Sequence, residues 1–233
     1  MTTRMLQNGN RAARKLPLAV MAAGLAGAMS AGAVTLTFDG VSPGDVVTLQ
    51  VGGAFTFGPG EVYAGIYNQI VDGVATPSFC IDVSRDIHVG DTFTDYSYTD
   101  LASAPLAPAG PMCPVAATDI EKLWIAYYPA ASVNNQDAAA LQVAIWEDVA
   151  AKVGTYTIIV SGNDPVTTEA TTMLDSLGSL TAQASLQGLV SPAGQNYVVP
   201  MIAPAPEPTT TGCFLLGLGA LVCFQRFTQK RRS

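Results

Sequence analysis

Positive charge and histidine are what this chain has least of. Its 233 residues include one His, and only 12% are Asp, Glu, Lys or Arg. Between residues 34 and 208 the only basic side chains are Arg85, Lys122 and Lys152, set against all 18 acidic residues of the chain. So acidic a body repels phosphate backbones, which excludes nucleic acid as a partner. With one His and no Cys-x-x-Cys pair, the common zinc frameworks are missing too. No Gly-rich phosphate loop is present, and nothing calls for a cofactor. Long apolar runs are scarce. Leu16–Met29 and Cys213–Phe224 both fall short of the roughly 20 residues of a comfortable membrane span.

The remaining basic residues gather at the two ends. Arg4, Arg11, Arg14 and Lys15 precede the first apolar run, and Ser30-Ala31-Gly32-Ala33 follows it. Basic flank, apolar stretch and small-residue site together read as a secretory signal peptide over 1–33, with the mature chain starting near Val34. At the other end Pro204-Ala205-Pro206-Glu207-Pro208 is stiff and extended. A linker over 203–210 leads to a membrane helix over 211–225 and a basic cytoplasmic tail over 226–233, with the body outside. Pro206-Glu207-Pro208, the short Gly/Leu helix and the Arg-rich end resemble the PEP-CTERM sorting tail of Gram-negative bacteria. The resemblance implies an exosortase-type membrane protease as partner, a transient inner-membrane anchor, cleavage near Pro206-Glu207-Pro208, and release to the cell surface or extracellular matrix.

The body, 34–202, begins with period-two alternation. Val34, Leu36 and Phe38 form one strand ended by Gly40; Val47, Leu49 and Val51 form the next. Phe55–Phe57 stops at Gly58-Pro59-Gly60. Val62–Ile70 closes at Asp72-Gly73, a hairpin-type pair, and Phe79–Val83 and Thr92–Tyr98 follow. Residues 102–115 read as a Pro/Ala loop. The period then lengthens. Thr118-Asp119-Ile120-Glu121 is a capping box for a helix that Pro129 stops. A second helix follows Asn134-Asn135, with Asp137 in its first turn, Lys152 in its last and Gly154 beyond its end. Tyr156–Val160 is a strand, Asp164-Pro165 opens a third helix that Gly178 ends, and Asn196–Ile202 is a last strand. The expected fold is α+β: a β-rich barrel or sandwich with a helical insertion.

Two positions depart from their patterns. In the Ser78–Val83 strand Cys80 points away from the face shared by Phe79, Ile81 and Val83. On the second helix Gln142 is a lone amide among Ala138, Ile145, Trp146 and Val149. A buried amide needs partners, and loop backbone would satisfy it. Once the targeting segments are gone, Cys80 and Cys113 are the cysteines left. In an oxidising compartment such a pair reads as a disulfide. That gives one reading, a passive structural matrix protein with a Cys80–Cys113 disulfide.

Phe79-Cys80-Ile81 and, some sixty residues later, Leu141-Gln142-Val143-Ala144-Ile145-Trp146 resemble bacterial surface thioester domains. The same segments, as Phe79-Cys80-Ile81-Asp82 and Ala144-Ile145-Trp146-Glu147, are similar to a set of PEP-CTERM proteins. The resemblance implies an internal thioester between the Cys80 sulfur and the Gln142 side-chain carbonyl, shielded by Phe79 and Trp146. An amine-bearing surface protein or matrix polymer would be the covalent target of this non-enzymatic adhesion module.

Other chemistry is weaker. Cys80 and His88 as a nucleophile–base pair would make a hydrolase, but His88 falls in a turn. Asp82, Asp86, Asp91, Asp95 and Asp100 lack the calcium-loop pattern and read as acidic surface. Glu147-Asp148 read as a solvated helix face.

Overall fold

The computed structural model describes residues 32–106 and 109–201. The expected signal peptide, apart from Gly32 and Ala33, and all the sorting segments, with Pro206, Glu207 and Pro208, lie outside the described residues. The body is α+β, as expected: a large antiparallel sheet with three helices.

Nine strands run in chain order as β1 (Val34–Gly53), β2 (Phe57–Val71), β3 (Val74–Cys80), β4 (Thr92–Thr99), β5 (Pro105–Leu106), β6 (Gly110–Pro111), β7 (Tyr156–Ser161), β8 (Leu186–Val190) and β9 (Tyr197–Pro200). The helices are α1 (Pro114–Ala131), α2 (Asn135–Val153) and α3 (Asp164–Ser176). The main sheet has the order β2-β3-β9-β8-β4-β1-β7, and β1 also pairs with β2, so the ring of pairings closes on itself. Asp72 and Gly73 both take positive φ, 48° and 82°. That is what a two-residue β2–β3 hairpin turn requires.

Strand boundaries differ from the expected ones for identifiable reasons. The two alternating runs of residues 34–51 are one strand, which passes Gly40 through register shifts instead of ending there. At φ 131° Gly40 bends the chain while the ladder continues. Gly58-Pro59-Gly60 does not separate two strands either. Pro59 lies at the β1–β2 register shift, where no ladder N–H is needed. β3 begins five residues before Phe79 and ends at Cys80. β8 was not expected because Gly188 breaks the apolar run. A side chain there would meet Ala104 and Thr99 at 3.0 Å, so close packing rather than a turn accounts for the glycine.

The helices show the same competition. α1 starts at Pro114, with Cys113 as N-cap, rather than at the Thr118 capping box, and it runs through Pro129 to Ala131. Proline suits a first helical position because its missing N–H is one the first turn leaves unpaired anyway. The 102–115 segment thus contains the β5–β6 pair and the start of α1. α2 has its expected ends. Asn134 Oδ1 accepts from the Gln136 and Asp137 amides at 2.8 and 3.2 Å, and Gly154 closes the helix at φ 70°.

α2 is the centre of the molecule. Every residue from Ala138 to Trp146 is buried, because the helix is covered by α1, α3, β1, β2 and β7 rather than by one neighbour. A helix apolar all round is an interior helix, and its alanines let those neighbours approach closely. The expectation of a solvated Glu147-Asp148 face fails for this reason: Asp148 is 4% exposed. It belongs to an α1–α2 charge cluster. Asp119 accepts from Lys122 at 3.3 Å and Lys152 at 3.4 Å, while Asp148 Oδ1 is 4.0 Å from Lys152 and Oδ2 is buried without a partner.

Burial, then the charge of Asp119, push the Asp148 carboxyl up to about 7, with the two lysines only partly opposing them. A carboxyl raised in the folded state binds its proton more tightly there than in the unfolded chain. Stability is then lost as pH rises from about 4 towards 7. Asp148→Asn removes this titration. Relative to the variant, the parent is expected to lose roughly 2–4 kcal/mol between pH 4 and pH 8, read from urea unfolding at both pH values.

Candidate functional site

β3 and β2 form a ladder from Val74 opposite Val71 up to Ser78 opposite Tyr67. Continued by one more pair on the same edge, the register would set Cys80 opposite Gly65. There β2 instead follows β1, Gly65 lying opposite Gly44. A side chain at Gly65 would run into the backbone of Pro43 and Gly44, so glycine is what allows the two strands to approach. The consequence falls on Cys80. Its N–H and C=O point to the side β2 has left, while its neighbours bond the other way: Ile81 N–H donates to Asn196 O at 3.0 Å.

Gln142 takes the vacated place. The Cys80 N–H donates to Gln142 Oε1 at 2.8 Å, and Gln142 Nε2 donates to Cys80 O at 2.9 Å. The primary amide stands in for a strand neighbour across 62 residues of chain, with both residues at 0% exposure. The two bonds hold the amide flat against the backbone of the residue that carries Sγ. Gln142 arrives there because α2 packs on β1, β2 and β3.

The thiol is equally enclosed. Cys80 Sγ donates to Asp82 O at 3.4 Å. Register sets Cys80 beside Tyr197 and Ser78 beside Tyr67, and Tyr67, Tyr96 and Tyr197 form a ring cluster with centroids 5.6–6.3 Å apart. Burial, then the negative charge of Asp82, push the thiol well above its ordinary range, with the nearby Trp146 indole opposing this in part. The Trp146 indole N–H is buried without a hydrogen-bond partner among the described residues. Cys80 is therefore held as the neutral thiol.

Asp82 is the residue sequence reading undervalued. It is 1% exposed, not acidic surface. Its carboxylate accepts from Ser84 N at 3.0 Å and Ser84 Oγ at 2.6 Å, and Arg85 Nε lies 3.7 Å away. Burial raises its pKa, against the lowering effects of Ser84 and Arg85. The Asp-x-Ser spacing, a local side-chain turn, was the available signal. Gln195 and Asn196, which also reach Asp82, carried none.

The structure thus brings Cys80, Gln142 and Trp146 together. Phe79 lies on the other face of β3, edge-on to Trp124 at 5.3 Å and to Tyr128 at 6.4 Å, and closes the site from the α1 side. Cys113 caps α1, and both cysteines are free thiols. The His88 ring is 84% exposed, 3.8 Å from Asp91, and is not among the groups around Cys80. Of the acids considered for calcium, Asp91 accepts from the His88 amide, Asp95 from Ser191 and Asp100 from Ser103. Among the described residues no three potential ligands gather as a metal site, and no helix is long and apolar enough to cross a membrane.

The chain matches no family model, no curated protein and no solved structure. The case for function therefore rests on its own residues.

The clamp has a measurable weight. In a Cys80→Ala background the backbone keeps both bonds to Gln142. Adding Gln142→Ala leaves a buried N–H and a buried C=O unpaired, at about 1–3 kcal/mol each. The double variant is expected to be roughly 2–5 kcal/mol less stable than Cys80→Ala alone in urea unfolding.

Proposed function

We propose that this chain is an exported, non-enzymatic surface or matrix protein whose Cys80 and Gln142 form an internal thioester for covalent attachment to amine-bearing targets. The observation that carries the reading is the two-bond clamp between the Gln142 amide and the Cys80 backbone.

A clamped amide is a prepared electrophile. The Cys80 N–H on Oε1 polarises the carbonyl and is already aimed at the oxygen that would gain charge when sulfur adds. Sγ belongs to the residue whose backbone holds the amide, and such proximity is worth roughly 7–11 kcal/mol for well-oriented groups. The step balances without a co-reactant. The sulfur–carbon bond forms, the Cδ–Nε2 bond breaks, and the thiol hydrogen leaves with the nitrogen as ammonia. Because burial keeps the sulfur protonated and the thiolate is the nucleophile, the proton must pass from sulfur to nitrogen as the sulfur–carbon bond forms. An incoming amine would attack the same carbonyl, form an amide to Gln142 and return the thiol. Trp146 against the sulfur, and Phe79 on the far face, would keep water out.

The fold and the export signals fit this reading. The closed ring of pairings supports a barrel, with the helices of residues 114–153 as its insertion, while the sequence ends support export, exosortase-type processing near Pro206-Glu207-Pro208 and a surface or matrix location.

Methylamine is expected to add to the exported chain at Gln142 and to expose one thiol that alkylates at Cys80, both mapped by peptide mass spectrometry. Cys113→Ala should leave the reaction intact, and Cys80→Ala should abolish it. Thiol release that needs a reductant and disappears in Cys113→Ala would instead mark a Cys80–Cys113 disulfide in a passive matrix protein. Separately, Glu207→Ala is expected to hold the chain in the membrane fraction; undiminished release would sink the sorting part of the reading.

A further inference from the structure

A cavity of about 810 Å³ opens between β1, β2 and the 83–89 loop. Its deep wall includes Trp146, Tyr67 and Gln195, all buried. Trp146 is the connection to the site already described. It lines the cavity and lies one helical turn after Gln142, so the cavity wall adjoins the Cys80–Gln142 pair. A volume of this size is that of a small-molecule pocket.

The charges on this cavity are of one available sign. Arg85 is consumed internally: Nη1 donates to Ser191 O at 3.0 Å and Gly194 O at 2.7 Å, and Nε faces Asp82. Glu61 and Asp86, exposed on the same lining, enter no ion pair or side-chain hydrogen bond among the described residues. Between them and Trp146 the wall is largely aliphatic and aromatic, with Phe38, Leu49 and Val62. Two unpaired exposed carboxylates and a largely apolar inner wall suit a methylene chain that carries a cationic end.

We propose that this cavity binds aliphatic diamines, with one ammonium held by Glu61 and Asp86 while the methylene chain leads the other amine, as free base, past Trp146 to the Gln142 carbonyl. The delivery step rests on the thioester reading; the binding step does not. The site selects amines with a second cationic group over single amines, because only they satisfy the carboxylates and the carbonyl together.

Two measurements test it. In the Cys80→Ala chain, where no thioester forms, cadaverine is expected to change tryptophan fluorescence. Glu61→Gln/Asp86→Asn should weaken that binding roughly five- to tenfold, and Trp146→Phe should remove the signal. With Cys80 present, the same double substitution should slow cadaverine addition by a similar factor and leave methoxyamine, a nucleophile uncharged at neutral pH, within twofold. Absent cadaverine binding, or binding indifferent to the double substitution, overturns the proposal whatever the thioester does. Equal slowing of both nucleophiles, or of neither, overturns delivery. If neither nucleophile adds to the parent while Cys80→Ala binds cadaverine through Glu61 and Asp86, the thioester reading falls and the diamine site stands.

Discussion

The site depends on a backbone residue that its sheet abandons. β2 turns onto β1 at Gly65, where glycine permits contact with Pro43 and Gly44, and the inward-bonding N–H and C=O of Cys80 are left buried with no strand beside them. Buried backbone groups cost too much to leave unpaired. The fold answers with a side-chain amide from 62 residues away, the one neutral side-chain group that donates and accepts like a peptide unit. That requirement alone fixes the residue type at 142 to Gln or Asn, and the reach from a helix axis favours the longer.

Satisfying that strand edge from a helix demands that the helix be central. α2 carries Gln142 among alanines and β-branched residues that let α1, α3 and the sheet close in from all sides. The same enclosure strains the polar residues it traps. Asp148 is held partly neutral near physiological pH, and the Cys80 thiol is held as a thiol. In the proposed chemistry this enclosure sets the thiol beside a polarised carbonyl and excludes water, and it requires that the thiol proton move to nitrogen as sulfur adds. The cavity lined by Trp146 is the approach proposed for an incoming amine.

Much of this was legible in the sequence, and the failures have physical causes. The helix ends at Asn134 and Gly154 and the Asp72-Gly73 turn were read correctly because local chemistry decides them. Gly40 and Gly58-Pro59-Gly60 were misread as strand ends, because a glycine that bends a strand and one that ends it look alike until the partner strand is known. The Thr118 capping box lost to Pro114 at an earlier first turn. By periodicity Cys80 and Gln142 stand out only as residues on the wrong faces; their meeting is long-range, and only the resemblance of their two motifs to thioester domains points to it. Asp82 and Asp148 were assigned to solvent because acidic residues usually are, and only the packing of α2 and the 82–85 turn shows them buried.

The central claim is a covalent one, and the intact mass of the exported chain decides it most directly. The account predicts a mass lower than that of the processed sequence by one ammonia, with the loss absent in both Cys80→Ala and Gln142→Ala. A mass lower by only two hydrogens and restored by reductant, or a mass equal to the sequence, would contradict it. Gln142 would then be a structural amide that completes a broken strand edge and nothing more.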